Sequence, residues 1–260
     1  MVLDECPPYP SDYEYAARSA EMTLRWARRC KVAADLRRGE NVQRPTSNAQ
    51  RSTTESGSQL VFGIVQGATF GNLRQQGAQA IVEIGFDGYA IGGVSVGEPE
   101  AEMMREVEWC EPHLPADKPR YALGLGTPPQ MLELIARGMD MFDCVLPTRL
   151  ARNGTAFTAR GTLNLKNAEF AMQKGPIEDG CQCAACREFS RGYIRHLVKA
   201  EEILGLRLIT LHNLHFYLGL LKDVRAAIEV GTFATFQKDF VSKYEVRPGG
   251  ALVSEGSNSL

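Results

Sequence analysis

Along the first 154 residues, short apolar runs alternate with longer stretches in which apolar residues recur every three or four positions. The runs predict strands at 60–65, 89–91, 121–125 and 141–146. The longer stretches predict helices at 70–84, 98–111 and 129–138. Residues 1–5 read as a further strand at the very start of the chain. Pro7, Pro8 and Pro10 then mark a turn, and Ser11 with Glu14 forms a capping box that opens a helix to about Leu36. Residues 37–59 are mostly Arg, Asn, Gln, Ser, Thr and Gly without an apolar period, and read as a mobile loop. Strand–helix units of this kind imply an α/β architecture with a parallel sheet.

The predicted strands end in small or polar residues: Asp4, Gln66, Gly92, Gly93, Gly126 and Asp143. Parallel α/β folds bind their ligands at the C-terminal strand ends, and glycine there lets a ligand approach the backbone. The stretch 139–154 is the most informative. Met141, Phe142, Val145 and Leu146 suggest a buried strand that Pro147 stops, with Asp143 near its end and Arg149 and Arg152 in the loop beyond. A carboxylate in an apolar strand costs free energy unless it is paired or used. With two arginines beside it, it suits a site acting on a phosphorylated polymer; the competing reading is a strand-end ion pair. Five predicted βα strands fall short of the eight in a TIM barrel of about 250 residues. The pattern therefore fits either a smaller open sheet or a barrel lacking its first strands, and the start on a strand favours the second.

After residue 154 the period changes. Residues 156–159 and 162–165 suggest a hairpin around Arg160 and Gly161. Cys181, Cys183 and Cys186 follow, then a helix at 188–204, the segment 208–213, helices at 214–230 and 232–244, and a Gly/Ser/Pro-rich tail that reads as disordered. Three cysteines within six positions indicate a metal site in a reducing compartment rather than a disulfide framework. With His212 they form the four-ligand set favoured by structural zinc. His212, just ahead of a predicted helix, is preferred over His215, one turn inside it, and over His196.

The chain has 260 residues, 44% hydrophobic, and a net charge of −2. Residues 142–200 carry nine Lys/Arg against five Asp/Glu, a local +4 on an otherwise acidic chain, which suits a polyanion bound at one face. No run approaches the roughly 18 apolar residues of a membrane span, and the N-terminus lacks a basic, signal-like start; the expected compartment is the cytoplasm.

Taken together, Asp143 to Arg149 (Asp-Cys-Val-Leu-Pro-Thr-Arg), Phe62 to Gly67, Ile91 to Glu98, Asp4 to Cys6 and the Cys3His set resemble the tRNA-guanine transglycosylase (queuine tRNA-ribosyltransferase) family, of bacterial type. The resemblance runs from residue 1 to about 244, apart from loop 37–59. It implies a (β/α)8 TIM barrel, truncated at the N-terminus, with an inserted zinc-binding subdomain. It also implies barrel residues 1–154, a zinc subdomain at 155–215, closing helices at 216–244 and a tail at 245–260. The implied reaction replaces guanine at the wobble position of tRNA with 7-aminomethyl-7-deazaguanine in queuosine biosynthesis. Asp143 would be the nucleophile that holds the ribose covalently. Asp4, Gln66, Gly92 and Gly93 would bind the base, with the Val94 carbonyl and Glu98 reading its 7-substituent. Val96 and Cys6 favour the smaller 7-substituent. Arg149 and Arg152 would hold anticodon-loop phosphates. Zinc would be structural, and the zinc subdomain would support a homodimer that Tyr193 and His196 could join. The family's second catalytic aspartate and its base-stacking aromatic belong to segments this sequence does not contain. The chain by itself is therefore expected to be inactive, and a non-catalytic tRNA-binding subunit is the alternative.

Overall fold

A computed structural model of the protein describes residues 1–41 and 59–244. Most of the expected mobile loop 37–59 and the expected tail lie outside the described residues; residues 37–41 belong to a helix. Two compact units are distinguished. Among the described residues, one comprises Met1–Leu125 with Leu134–Asp143, the other Gly126–Glu133 with residues 144–244.

The first unit holds a parallel sheet of four strands: β1 (Phe62–Val65), β2 (Gly88–Ile91), β3 (Arg120–Ala122) and β4 (Met141–Phe142), in the order β1-β2-β3-β4. Helices α1 (Tyr13–Asn41), α2 (Gly71–Ile84) and α3 (Glu100–Cys110) belong to it. β1 and β2 are buried on both faces, as strands covered by crossover helices must be. Ile64, Val65, Tyr89, Ala90 and Ile91 pack with Ala78 and Ile81 of α2 and with Met103 and Val107 of α3. The chain between Ala122 and Met141 includes α4 (Pro128–Ala136), whose prolines stand where a helix has no amide partner to lose.

Several sequence expectations change. Residues 1–5 form no strand. Val2 donates one backbone bond to Phe62 (3.0 Å), but side chains of α1 satisfy the next groups: Thr23 Oγ1 accepts from Glu5 N, and Ser19 Oγ donates to Glu5 O. The cap of α1 is Asp12, which accepts from Tyr15 N at 2.8 Å, whereas the Ser11 hydroxyl is taken by the Pro8 carbonyl. The strand expected over 141–146 stops at Phe142. Leu146–Arg152 is helical (α5), with Pro147 in its first turn, so Arg149 and Arg152 lie on a helix rather than in a loop.

The second unit contains the expected hairpin, β5 (Thr155–Thr158) with β6 (Gly161–Asn164), closed by Ala159 and Arg160. Helices α6 (Ala184–Glu188), α7 (Arg191–Lys199), α8 (Ile203–Glu229) and α9 (Phe233–Lys243) follow. The helix expected over 188–204 is broken in two places. Ser190 caps α7 by accepting from Tyr193 N, and Glu201 adopts a left-handed backbone before α8. α8 starts well ahead of the expected position, so residues 208–213 are helical and His212 sits within the helix.

Candidate active site and metal centre

Parallel register determines the rim of the first unit. Val65 pairs with Ile91, Ile91 with Ala122, and Ala122 with Phe142. The residues that follow, Gln66, Gly92, Leu123 and Asp143, therefore share the C-terminal edge of the sheet. From the first strand to the fourth is about 14 Å, three inter-strand spacings.

At one end of this rim, Gln66 is buried and donates Nε2 to Asp4 Oδ2 at 2.7 Å. Its Oε1 has no partner among the described residues. Gly92 and Gly93 close against the same amide. A Cβ on Gly92 would come within 2.7 Å of Gln66 Nε2 and 3.5 Å of Asp4 Oδ2, and one on Gly93 would overlap Gln66 Oε1. Gly93 also stands at φ +65°, where a side chain is strained. Glycine is thus required twice, by space and by conformation. Asp4, Gln66, Gly92 and Gly93, singled out from sequence, are brought together. Val94 is buried beside them. Glu98 is buried and accepts the backbone N–H groups of Ser95 and of Val96 (2.9 Å), so it shapes the loop after Val94 rather than merely starting α3. Burial and the Asp4 carboxylate push the Cys6 thiol upward, which keeps it protonated.

At the far end of the rim, Asp143 is exposed, not buried as its apolar neighbours suggested, because the strand ends before it. Its Oδ1 accepts the Gly124 N–H at 3.0 Å. The Tyr121 hydroxyl also bonds to its carboxylate; burial and that carboxylate raise the Tyr121 hydroxyl above its ordinary value. Two donors thus orient the carboxylate while leaving it open to solvent. No direct contact between Asp143 and the Asp4–Gln66 pair is found among the described residues. Arg149 and Arg152 are exposed one helical turn apart on α5 and make no ion pair among the described residues.

The second unit gathers Cys181, Cys183, Cys186 and His212, with ligand atoms all within 4.8 Å of one another. His212 Nε2 lies 2.7 Å from the Phe157 carbonyl, which can only accept. Nε2 therefore carries the proton and Nδ1 offers its lone pair to the thiols. Cys186, Cys181 and Cys183 Sγ lie 3.3, 3.6 and 3.7 Å from Nδ1. A tetrahedral ion with sulfur at about 2.3 Å and nitrogen at about 2.0 Å needs a sulfur–nitrogen separation of about 3.5 Å, so the set fits such a metal. Burial keeps His212 neutral and pushes the Cys181 and Cys186 thiols up, so a bound cation must displace their protons. Nearby, Lys174, Pro176, Arg187, Phe189, Ser190 and Tyr193 line an open groove of about 570 Å³, in which the Phe189 and Tyr193 rings stack at 5.6 Å.

Arg74, Glu106, Tyr121 and Asn213 were missed from sequence. Asn213 is fully buried; it accepts from Phe157 N (2.9 Å) and donates to Pro147 O (2.9 Å) and Thr155 O (3.1 Å). It thereby ties α8 to β5 and to the first turn of the arginine-bearing helix. A signal existed for three of the four. Arg74 falls in the apolar stripe of α2 with Gly77, Ala78 and Ile81; Glu106 in that of α3 with Met103, Val107 and Cys110; and Asn213 in that of α8 with Ile209, Tyr217 and Leu220. A polar residue on a buried stripe has to be partnered.

A parallel sheet whose C-terminal edge gathers carboxylates and glycines, and a Cys3His set able to hold a metal, define an α/β protein with a candidate site at the strand ends. The sequence model of the queuine tRNA-ribosyltransferase family matches residues 1–246, and the chain belongs to that family. A queuine tRNA-ribosyltransferase of Symbiobacterium thermophilum is 51% identical over 244 residues, and one of Pelotomaculum thermopropionicum 49% over 245. One of Staphylococcus aureus is 48% identical over 244 residues. Each match covers 94% of this chain but only 56%, 61% and 59% of the respective relative. The chain thus spans little more than half the length of these curated relatives. No helix among the described residues is long and apolar enough to cross a membrane.

Proposed function

We propose that this chain carries the nucleophile and base-binding part of a tRNA-guanine transglycosylase, a pentosyltransferase that replaces wobble guanine with 7-aminomethyl-7-deazaguanine in the cytoplasm. The observation that carries this reading is the rim: a pocket of mixed donors and acceptors and an open, oriented carboxylate share one strand-end edge. Guanine presents ring N–H and amino donors beside a carbonyl acceptor. Asp4 accepts from the donors, while the second Gln66 Nε2 hydrogen and the Gly93 N–H meet the carbonyl. The Val94 carbonyl and Glu98 lie toward the 7-substituent.

Asp143 attacks the ribose anomeric carbon as the bond to guanine breaks, and the base leaves with its electron pair. The oxocarbenium-like transition state gains from the adjacent carboxylate, and a glycosyl ester forms. The incoming base attacks the same carbon, loses a proton, and releases Asp143 as carboxylate. Two displacements retain configuration. Arg149 and Arg152 bind anticodon-loop phosphates, a task that suits bidentate guanidinium.

The Cys3His set holds zinc as a structural ion. It would fix α8 to the cysteine loop, since all four ligand positions come from the chain. The stacked Phe189–Tyr193 pair in its groove is the contact we assign to a homodimer.

The test joins this chain to the N-terminal part of a longer family member and adds wobble-guanine tRNA with 9-deazaguanine. A covalent protein–tRNA adduct on denaturing gels is expected, and Asp143→Asn should reduce it at least about a thousandfold. An adduct of undiminished yield would remove Asp143 as nucleophile. The chain alone should form none.

A further inference from the structure

Behind the glycine turn of the rim lies a buried pair that the base-exchange reading does not use. Arg74 is fully buried and donates to four acceptors: the carbonyls of Ala68 (2.7 Å), Gly92 (2.5 Å) and Gly93 (2.9 Å), and Glu106 Oε2 (2.7 Å). Glu106 is also buried, and its Oε1 has no partner among the described residues. The only cis peptide among the described residues is Tyr9–Pro10, so the Gly92–Gly93 and Gly93–Val94 peptides are trans. In a trans peptide the N–H points opposite to the C=O. By drawing both carbonyls toward itself, Arg74 turns the N–H groups of Gly93 and Val94 the other way. The positive φ of Gly93 allows two successive peptides to adopt this arrangement. A planar guanidinium can take both carbonyls at once; an ammonium cannot match that fork. Glu106 fixes the rotation of the fork by holding the same NH2 group that binds Gly93.

We propose that Arg74 and Glu106 are positioning residues that set the polarity of the Gly92-Gly93-Val94 peptides, so that the pocket offers amide donors to a 6-oxopurine and rejects a 6-aminopurine. The inference rests on the base-exchange reading of the same pocket. Without the pair, the peptides are free to rotate and present carbonyls, which accept from a 6-amino group.

The experiment is equilibrium dialysis of the chain, joined as in the adduct test to the N-terminal part of a longer family member, with labelled guanine and labelled 2,6-diaminopurine. Wild type is compared with Glu106→Gln and with the double variant Arg74→Met/Glu106→Leu. The double variant removes both buried groups together, so no lone charge is left in the core. Wild type should favour guanine about tenfold or more, since a mispaired donor costs more than a lost bond. The double variant should bring the ratio to within about twofold, with Glu106→Gln in between. General loosening of the fold would weaken both ligands together and leave the ratio standing. If the double variant does not fold, the Glu106→Gln ratio decides. A wild-type ratio retained in every folded variant overturns the assignment while leaving base exchange intact. A wild type that binds neither base removes the base-exchange pocket, and this inference with it.

Discussion

In the Cys3His region, three of the four ligand residues fall within six positions, and the fourth arrives on one long helix. At the strand-end rim, the groups that hold Gly92 and Gly93 come from residues 66, 74 and 106, on three separate elements. The first region uses ligand chemistry strong enough to organise its own surroundings. The second places weak, directional groups by packing them into a sheet and two helices. A Cys3His set of this kind is local and energetic, whereas the strand-end rim is distributed and geometric. Substitutions in the first should therefore act on folding, and at the rim on recognition and rate.

Metal removal tests the first half of that contrast with the largest expected effect. Zinc binding to such a set is worth on the order of 10 kcal/mol at neutral pH. The chain should hold one equivalent of zinc by elemental analysis, and chelation or Cys186→Ser should abolish the second unit's thermal transition. A transition unmoved by complete metal loss would show that the helices of that unit fold without it.

Asn213→Ala is next. It leaves the Phe157 N–H and two carbonyls without their partner in a buried site, at a cost of about 3 kcal/mol. Urea denaturation should show this loss with the metal still bound. By contrast, the exposed Asp143→Asn should change stability by less than about 0.5 kcal/mol while removing the adduct. Tyr121→Phe sits between the two: it deletes one hydrogen bond to the Asp143 carboxylate, so adduct formation should slow about tenfold with stability little changed. An unchanged rate would mean that the Gly124 N–H orients Asp143 unaided.

A further test concerns pH. Burial pushes the Glu106 carboxyl from its ordinary 4.5 up to about 8; Arg74 pulls it down, while Glu98 and Glu102 push it further up. Cys6 and Cys110 also feel its charge. Because the folded-state value is raised, the folded chain binds this proton more tightly than the unfolded chain. The associated stability is full below about pH 4.5, is lost progressively as pH rises to about 8, and is flat above. The thermal midpoint of wild type should therefore fall relative to Glu106→Gln across that window. A constant difference would mean that Arg74 keeps Glu106 ionised throughout.

Much of the architecture was legible in the chain. Apolar runs of three to six residues ending at Gln66 and Gly92 read as strands buried on both faces, and the long stretches between them are spaced for crossover helices. The Cys-x-Cys-x-x-Cys spacing announced its own site. Other features were misjudged where a local signal lost to tertiary contacts. Val145 and Leu146 have strand-like side chains, yet Pro147 fits the first turn of a helix, so β4 ends two residues after it begins. Residues 208–213 were expected to precede a helix that begins at 214, yet they lie inside α8, where His212 Nε2 donates to the Phe157 carbonyl and Asn213 Oδ1 accepts the Phe157 N–H.

The sequence by itself determined the alternation of strands and helices, the metal-ligand set, and the residue types along the rim, because these depend on periodicity, spacing and intrinsic chemistry. Only the tertiary structure decided which way the Gly92 and Gly93 peptides face, that Asp143 is open to solvent, and that Arg74 finds Glu106 32 residues away. The physical reason is that hydrogen-bond direction and burial belong to groups brought together from distant parts of the chain. No local pattern encodes that meeting until the core has closed around it.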